Sequence, residues 1–524
     1  MKVILPVFVL SALFLTACQP QIRADYLIEN GTLYIGDNTK GQNLDIAIKG
    51  EDIVFVGHDS KHVKAAVTLN ASGLVIAPGL IDPHTHSLID LQSSDAQTRQ
   101  NANYRLQGVT TVFNGNDGYG TANINEISLD LMQKGIGTNT ALFVGHGTIR
   151  RKVMNNDNRP PTKEELGRMK LLTSSAMDEG ALGFSTGLFY APGSFSNTDE
   201  VVELAKIAAA KGGVYESHIR DESTYNIGIE AAVEEVLEIG RRADIPVHIA
   251  HIKALGVDVW GKSTPIIASI EKARAGGLKV TADQYPWAAS GTRISNALIP
   301  RHLKAGGNEQ YIARLNDPLL QEQLQIDVAE NLRRRGGASA VLITDKRSKW
   351  RGKTLDEIAI LNSVSPVDMA IKIARDGDAK IASFNMNEDD IENFMSQDWV
   401  MTSSDGSAGH PRKFASFPRK YEVYVRDKNI MPIETFLYKS SGFVADTFNI
   451  CERGYLKTGY KADIVLFKLD EFKAKADFQN PELLSEGVEY LFVNGELSVE
   501  NGVSKNIFAG RLLKRCKVKE QHAQ

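Results

Sequence analysis

Along the chain, short apolar runs stop abruptly at polar residues: "GLVIAPGLID", "GVTTVFNG", "NTALFVGHG", "GALGFSTG", "GGVYESHI", "IPVHIAHI", "LKVTADQY" and "WVMTSSDG". Each is rich in β-branched residues or punctuated by glycine, and each reads as a buried strand. Stretches with helical spacing, such as "EAAVEEVLEIGRRA", lie between them. This alternation predicts an α/β protein with a parallel (β/α)8 TIM-like barrel over residues 74–449, rather than an open sheet. Polar, helical sequence at 287–345, broken by "AGG" and "RRRGGA", interrupts the rhythm after the seventh run and reads as an insertion.

Strand-like segments with turn signals also occupy both ends, "DYLIENGTLYIGD", "LDIAIKG" and "EDIVFVG" early and "GYLKTGYKADIVLF" and "VEYLFVNGEL" late. They predict one small β-sandwich assembled from residues 18–73 and 450–524. A chain of 524 residues, 42% hydrophobic, is long enough to bury the cores of both units. The net charge of −4, without a basic block, gives no footprint for nucleic acid.

In such barrels chemistry sits at the C-terminal ends of the strands, where the polar residues of these runs fall. "LIDPHTHS" offers His84 and His86 two residues apart, on one face if the strand continues. Taken alone they read equally as polar loop residues. The fifth and sixth runs end at His218 and His251, and the eighth at Asp405. Four histidines and a carboxylate from strand ends of one barrel form an N/O ligand set suited to Zn²⁺. Zinc polarises a carbonyl and lowers the pKa of water toward 7. A carboxylate beside such a water, as Asp405 would be, can act as general base and afterwards as general acid for an amide. His146 ends the third run and reads as a supporting rather than a ligating residue.

The blocks "GALGFSTGLFYAPG", "ESHIRDE", "TADQYPW", "SSDGS" followed by "HPRKFASFPR", and "GYLKTGYKADIVLF" resemble the amidohydrolase superfamily, and within it the N-acyl-D-amino-acid deacylases. The resemblance covers almost the whole chain. It implies hydrolysis of N-acyl-D-amino acids with one or two zinc ions, His84, His86 and Asp405 at one position and His218 with His251 at the other. Where the family usually bridges through the cysteine of a "GNCG" turn, this chain has "NGNDG", which puts Asp117 at the bridge; a plain tight turn is the other reading of these residues. The resemblance also implies that Lys253, Tyr285 and Arg412 take the substrate carboxylate, and that Arg293 contacts the substrate side chain. No lysine stands in "GALGFSTG", which weighs against the carbamylated-lysine bridge of hydantoinase-like and dihydroorotase-like relatives and so against a cyclic amide.

The N-terminal "MKVILPVFVLSALFLTAC" has one early cation and a short apolar core, as in a secretory signal over 1–17. Leu15-Thr16-Ala17-Cys18 resembles the bacterial lipobox. It implies cleavage before Cys18, lipidation there, and membrane association in the cell envelope, with Gln19 pointing to the outer membrane. Cys451 and Cys516 are either a disulfide or two thiols. Two other functions fit parts of the chain. "GFSTG" matches the serine-hydrolase pattern around Ser185, and an inactive metal-binding lipoprotein would tolerate the Asp117 replacement.

Overall fold

The computed structural model describes residues 21–516, so the expected leader and Cys18 lie outside the described residues. Eight parallel strands follow one another around a barrel: Leu80–Asp82, Val109–Asn114, Asn139–Leu142 (resumed at Val144–Gly145), Gly183–Gly187, Val214–His218, Val247–Ile249, Val280–Gln284 and Val400–Thr402. The pairing of Thr85 with Gly406 brings the first and last together. Almost every residue in these strands is buried, as expected where helices cover the sheet. The helix Ile229–Ala243 shows how: Ile229, Ala232, Val233, Val236, Leu237, Gly240 and Ala243 are buried at spacings of three and four. The helix Lys163–Asp178 begins in a reciprocal cap between Thr162 and Glu165.

One expected strand is two. "GLVIAPGLID" divides at Gly79, with Val75–Pro78 joining the sandwich and Leu80–Asp82 opening the barrel. A side chain at Gly79 would stand 2.3 Å from the Thr110 methyl, so only glycine lets the chain pass from one unit to the other this close to the second barrel strand. The sandwich comes from both ends. Ile22–Glu29, Asp45–Lys49, Asp52–Gly57 and Val63–Asn70 make one sheet, and the second pairs Thr32–Leu33 and Val75–Pro78 with Ile464–Phe467, Val488–Val493 and Glu496–Glu500. Ile28, Ile46, Ile53, Ile76, Ile464 and Phe492 form the core between them. Cys451 and Cys516 form a disulfide, with Cα atoms 5.5 Å apart.

The insertion is longer than residues 287–345. Its three antiparallel strands are Ala289–Arg293, Val341–Ile343 and Lys380–Phe384. The helix Pro366–Arg375, whose spacing is that of any barrel helix, buries Met369, Ala370, Ile371 and Ala374 in the insertion's own core. Local periodicity reports that a helix has an apolar face, but not which core receives it.

Barrel and sandwich are joined through a buried polar network. Asp463 accepts from Asn139 at 3.0 Å and from the Asn494 backbone at 2.7 Å, and pairs with Arg453. Arg453 also donates to Asn494 at 2.6 Å. Removing one partner leaves a buried cation uncompensated. Asp463→Ala is therefore expected to destabilise the protein by about 3–5 kcal/mol, read as a lower denaturant midpoint; an unchanged midpoint contradicts this.

Candidate metal centre and active site

The loops after the first and eighth barrel strands are zipped together. Asp82 accepts from the backbone N–H of His84 at 3.2 Å and of Ser404 at 3.1 Å. The Asp405 N–H donates to the His84 carbonyl at 2.9 Å, and the His86 N–H to that of Gly406 at 3.2 Å. These bonds set His84, His86 and Asp405 side by side, with His86 Nε2 3.2 Å from an Asp405 oxygen. The strand itself ends at Asp82, so it is this pairing of loops, not alternation along a strand, that brings the histidines together.

Asp117 enters from the turn after the second strand. Asn116 donates to the Pro83 carbonyl at 3.0 Å, Ser185 Oγ donates to the Gly115 carbonyl at 2.6 Å and accepts from the Gly118 N–H at 3.1 Å, and the Asp117 N–H points to Glu216 at 3.3 Å. A Cβ at Gly187 would lie 2.2 Å from the Asp117 carbonyl, so that glycine admits the turn. Ser185 is thus spent on shaping the turn. The residues after its strand run through Gly193–Phe195 before the helix Thr198–Ala209 begins, unlike the tight strand-to-helix turn of a nucleophile elbow.

The Asp117 carboxylate belongs to both candidate clusters, His84, His86 and Asp405 on one side and His218 and His251 on the other. Its oxygens lie 3.6 Å from His84, 3.5 Å from His86, 3.7 Å from His218 and 3.3 Å from His251. Burial pushes this carboxyl up, but the charges of His84 and His251 outweigh it and hold it well below the usual carboxylate range. Asp117 Oδ1 and His84 Nε2 are buried without hydrogen-bond partners, a pattern that native interiors avoid unless the atoms serve another bond, and His218 Nδ1, which faces Asp117, stands 2.8 Å from His251 Nε2. Nitrogen and carboxylate donors converging in this way fit zinc.

Lys253 reaches the site without the expected strand continuation. The sixth strand ends at Ile249, and His251 adopts a left-handed backbone with φ +34°. Lys253 Nζ lies 2.8 Å from His251 Nδ1 and donates to Glu222 at 2.5 Å. Tyr285 stands between the cations, its ring centre 4.6 Å from Arg412 Cζ and 5.7 Å from Lys253 Nζ. Arg412 pairs with Asp405 at 2.8 Å. Burial raises the Asp405 carboxyl, yet Arg412 and His86 hold it far below its ordinary value, so it is an anion near neutrality. Arg293 lies at the rim, 4.0 Å from Asp378, along a cavity of about 160 Å³ that also touches His86 and Asp117. His146 Nε2 donates to the Glu200 carboxylate at 2.7 Å, outside both clusters.

Three carboxylates escaped the sequence reading. Glu222 lies 3.2 Å from His251 Nδ1, Glu216 lies beneath Asp117, and Asp283 is 3.6 Å from His84 and 2.9 Å from His248. Alternation offered a signal for two of them, since Glu216 is two residues before His218 and Asp283 two before Tyr285.

The amidohydrolase family model matches residues 67–499. The chain belongs to the amidohydrolase family. Among curated members it is similar to the D-aminoacylase of Alcaligenes xylosoxydans xylosoxydans, 31% identical over 518 residues, covering 94% of this chain and 98% of the relative. A crystal structure of D-aminoacylase matches with TM-score 0.80 at 30% identity, over 94% of this chain and all of that one. N-acyl-D-glutamate deacylase from Bordetella bronchiseptica, solved with zinc and a phosphonate mimic of the tetrahedral intermediate, matches with TM-score 0.79 at 28% identity, over 94% of this chain and all of that one. Within this family frame, a carboxylate that orients a ligating histidine typically governs metal affinity by tenfold to a hundredfold. Glu222→Gln is expected to weaken zinc binding by about that factor in chelator competition; an unchanged affinity means that Glu222 serves Lys253 alone.

Proposed function

We propose that the chain hydrolyses the amide bond of N-acyl-D-amino acids, releasing a D-amino acid and a carboxylate, with zinc held by His84, His86, Asp117, His218, His251 and Asp405. The observation that carries this reading is the sharing of Asp117 between two donor clusters, buried except for the half-buried His86, in a chain similar throughout to D-aminoacylase. Zinc in such a site supplies Lewis acidity for the scissile carbonyl and for water.

The chain's own residues supply the rest. Lys253, Tyr285 and Arg412 form one wall, where two cations and a phenol meet the α-carboxylate; the planar fork of Arg412 suits two parallel hydrogen bonds. Asp405 is ionised and directed by Arg412, so it accepts the proton lost by the attacking water and returns it to the leaving nitrogen. Preference for the D enantiomer rests on the relatives.

Soluble protein starting after Cys18, stripped of metal and reloaded with zinc, is expected to release amine from N-acetyl-D-amino acids and not from their L partners. Asp405→Asn is expected to lower kcat by at least about a hundredfold. Full activity without zinc, together with its loss in Ser185→Ala, would instead favour a serine hydrolase.

We propose further that the protein is lipidated at Cys18 and held at a bacterial envelope membrane, a reading supported by the lipobox-like sequence. Cys18→Ala is expected to abolish incorporation of labelled palmitate and to release the protein from the membrane fraction; label retained in that variant contradicts the assignment.

A further inference from the structure

Three consecutive arginines stand at the end of the helix Gln321–Arg334 in the insertion. Arg333 is exposed and pairs with Asp258 at 2.7 Å and Glu330 at 2.8 Å. Arg334 pairs with Glu330 at 3.4 Å and donates to Asn331 at 2.8 Å. Arg335 is different. It is 2% exposed, it lines the cavity that holds Asp117, His218, His251 and Asp405, and among the described residues no carboxylate forms an ion pair with it.

Its contacts are with neutral groups. The guanidinium donates to the Asn385 side-chain oxygen at 3.2 Å, in the orientation of that amide that also satisfies Ser290 and Ser383. Its Cζ lies 5.7 Å from the centre of the Tyr225 ring, and its Nε has no partner. The Tyr225 hydroxyl is likewise buried without a partner and belongs to a residue lining the same cavity. Arg301 adds positive potential nearby, with its Cζ 3.9 Å from the Phe189 ring centre and 5.8 Å from that of Tyr225. The negative end of the helix and the face of Tyr225 compensate part of the buried charge. A buried cation without an anion is otherwise strongly unfavourable. Lys253 and Arg412, the other buried cations of this cavity, each face a carboxylate of the protein, Glu222 and Asp405, and are assigned to the α-carboxylate, whereas Arg335 has neither.

We infer that Arg335, assisted by Tyr225, binds a second carboxylate of the substrate, making the preferred substrate an N-acyl-D-amino acid with a negative charge beyond its α-carboxylate. The inference rests on the deacylase reading and refines its substrate class. The charge comes either from the amino-acid side chain or from the acyl group.

Steady-state kinetics of the zinc-loaded protein on N-acetyl-D-glutamate, N-succinyl-D-leucine and N-acetyl-D-leucine separate these sources. One of the two dianionic substrates is expected to exceed N-acetyl-D-leucine in kcat/KM. That ratio is expected to fall at least about tenfold in Arg335→Gln, the loss typical of a hydrogen bond to a charged group, and less in Arg335→Lys, which keeps the charge and guards against loss of fold. Preference for the glutamate places the carboxylate on the side chain, and preference for the succinyl compound places it on the acyl group. No preference for either, or a ratio unchanged in Arg335→Gln, overturns the inference. If none of the three is hydrolysed, the deacylase reading has failed and calorimetric titration of glutarate against butyrate tests the subsite by itself. Tighter glutarate binding that weakens at least about tenfold in Arg335→Gln supports it, and equal binding of the two acids overturns it.

Discussion

A carboxylate buried among four imidazoles is the constraint around which this barrel is arranged. Asp117 is 5% exposed, and an ionised group is kept out of water only where opposite charge or ligation replaces its hydration. His84, His86, His218 and His251 surround it. Each is brought there by a different barrel strand end, or, for the first two, by the loop pairing that also joins the first strand to the eighth. Closing the barrel and assembling the donor set therefore use the same hydrogen bonds. A fault in either is expected in both.

The local backbone bears the cost of this arrangement. Asp117, His251 and Asp405 all take left-handed conformations, with φ of +57°, +34° and +45°. Such conformations are unfavourable for L residues, and least so for Asp and Asn. They persist where the surroundings over-determine them. Ser185, Gly187 and Asn116 do this for Asp117, as Asp82 and the His84 carbonyl do for the loop of Asp405. The serine that mimics a hydrolase nucleophile is thus a brace for a metal-site turn.

Much of this was legible in the sequence because barrel strands announce themselves twice, by apolar runs and by the polar residues that end them. Each of the eight runs contains a barrel strand, and the ligand candidates fall at or just beyond the strand ends. What could not be read depends on contacts between residues distant in the chain. The division at Gly79 follows from Thr110 pressing on it. Lys253 is positioned by Glu222 rather than by its own strand. Nothing local separates Arg335 from Arg333, yet one is buried beside the donor clusters and the other solvated; the helix end and the packing of the insertion over the barrel make that difference.

The most direct measurement is a crystal structure of the zinc-loaded protein with anomalous scattering recorded at the zinc edge. An anomalous peak is expected within bonding distance of Asp117 and of histidines from at least one cluster, about 2.0–2.2 Å from each donor atom. A zinc peak held by the histidines while the Asp117 carboxylate points away from it, hydrogen-bonded only within its own turn, would contradict this expectation.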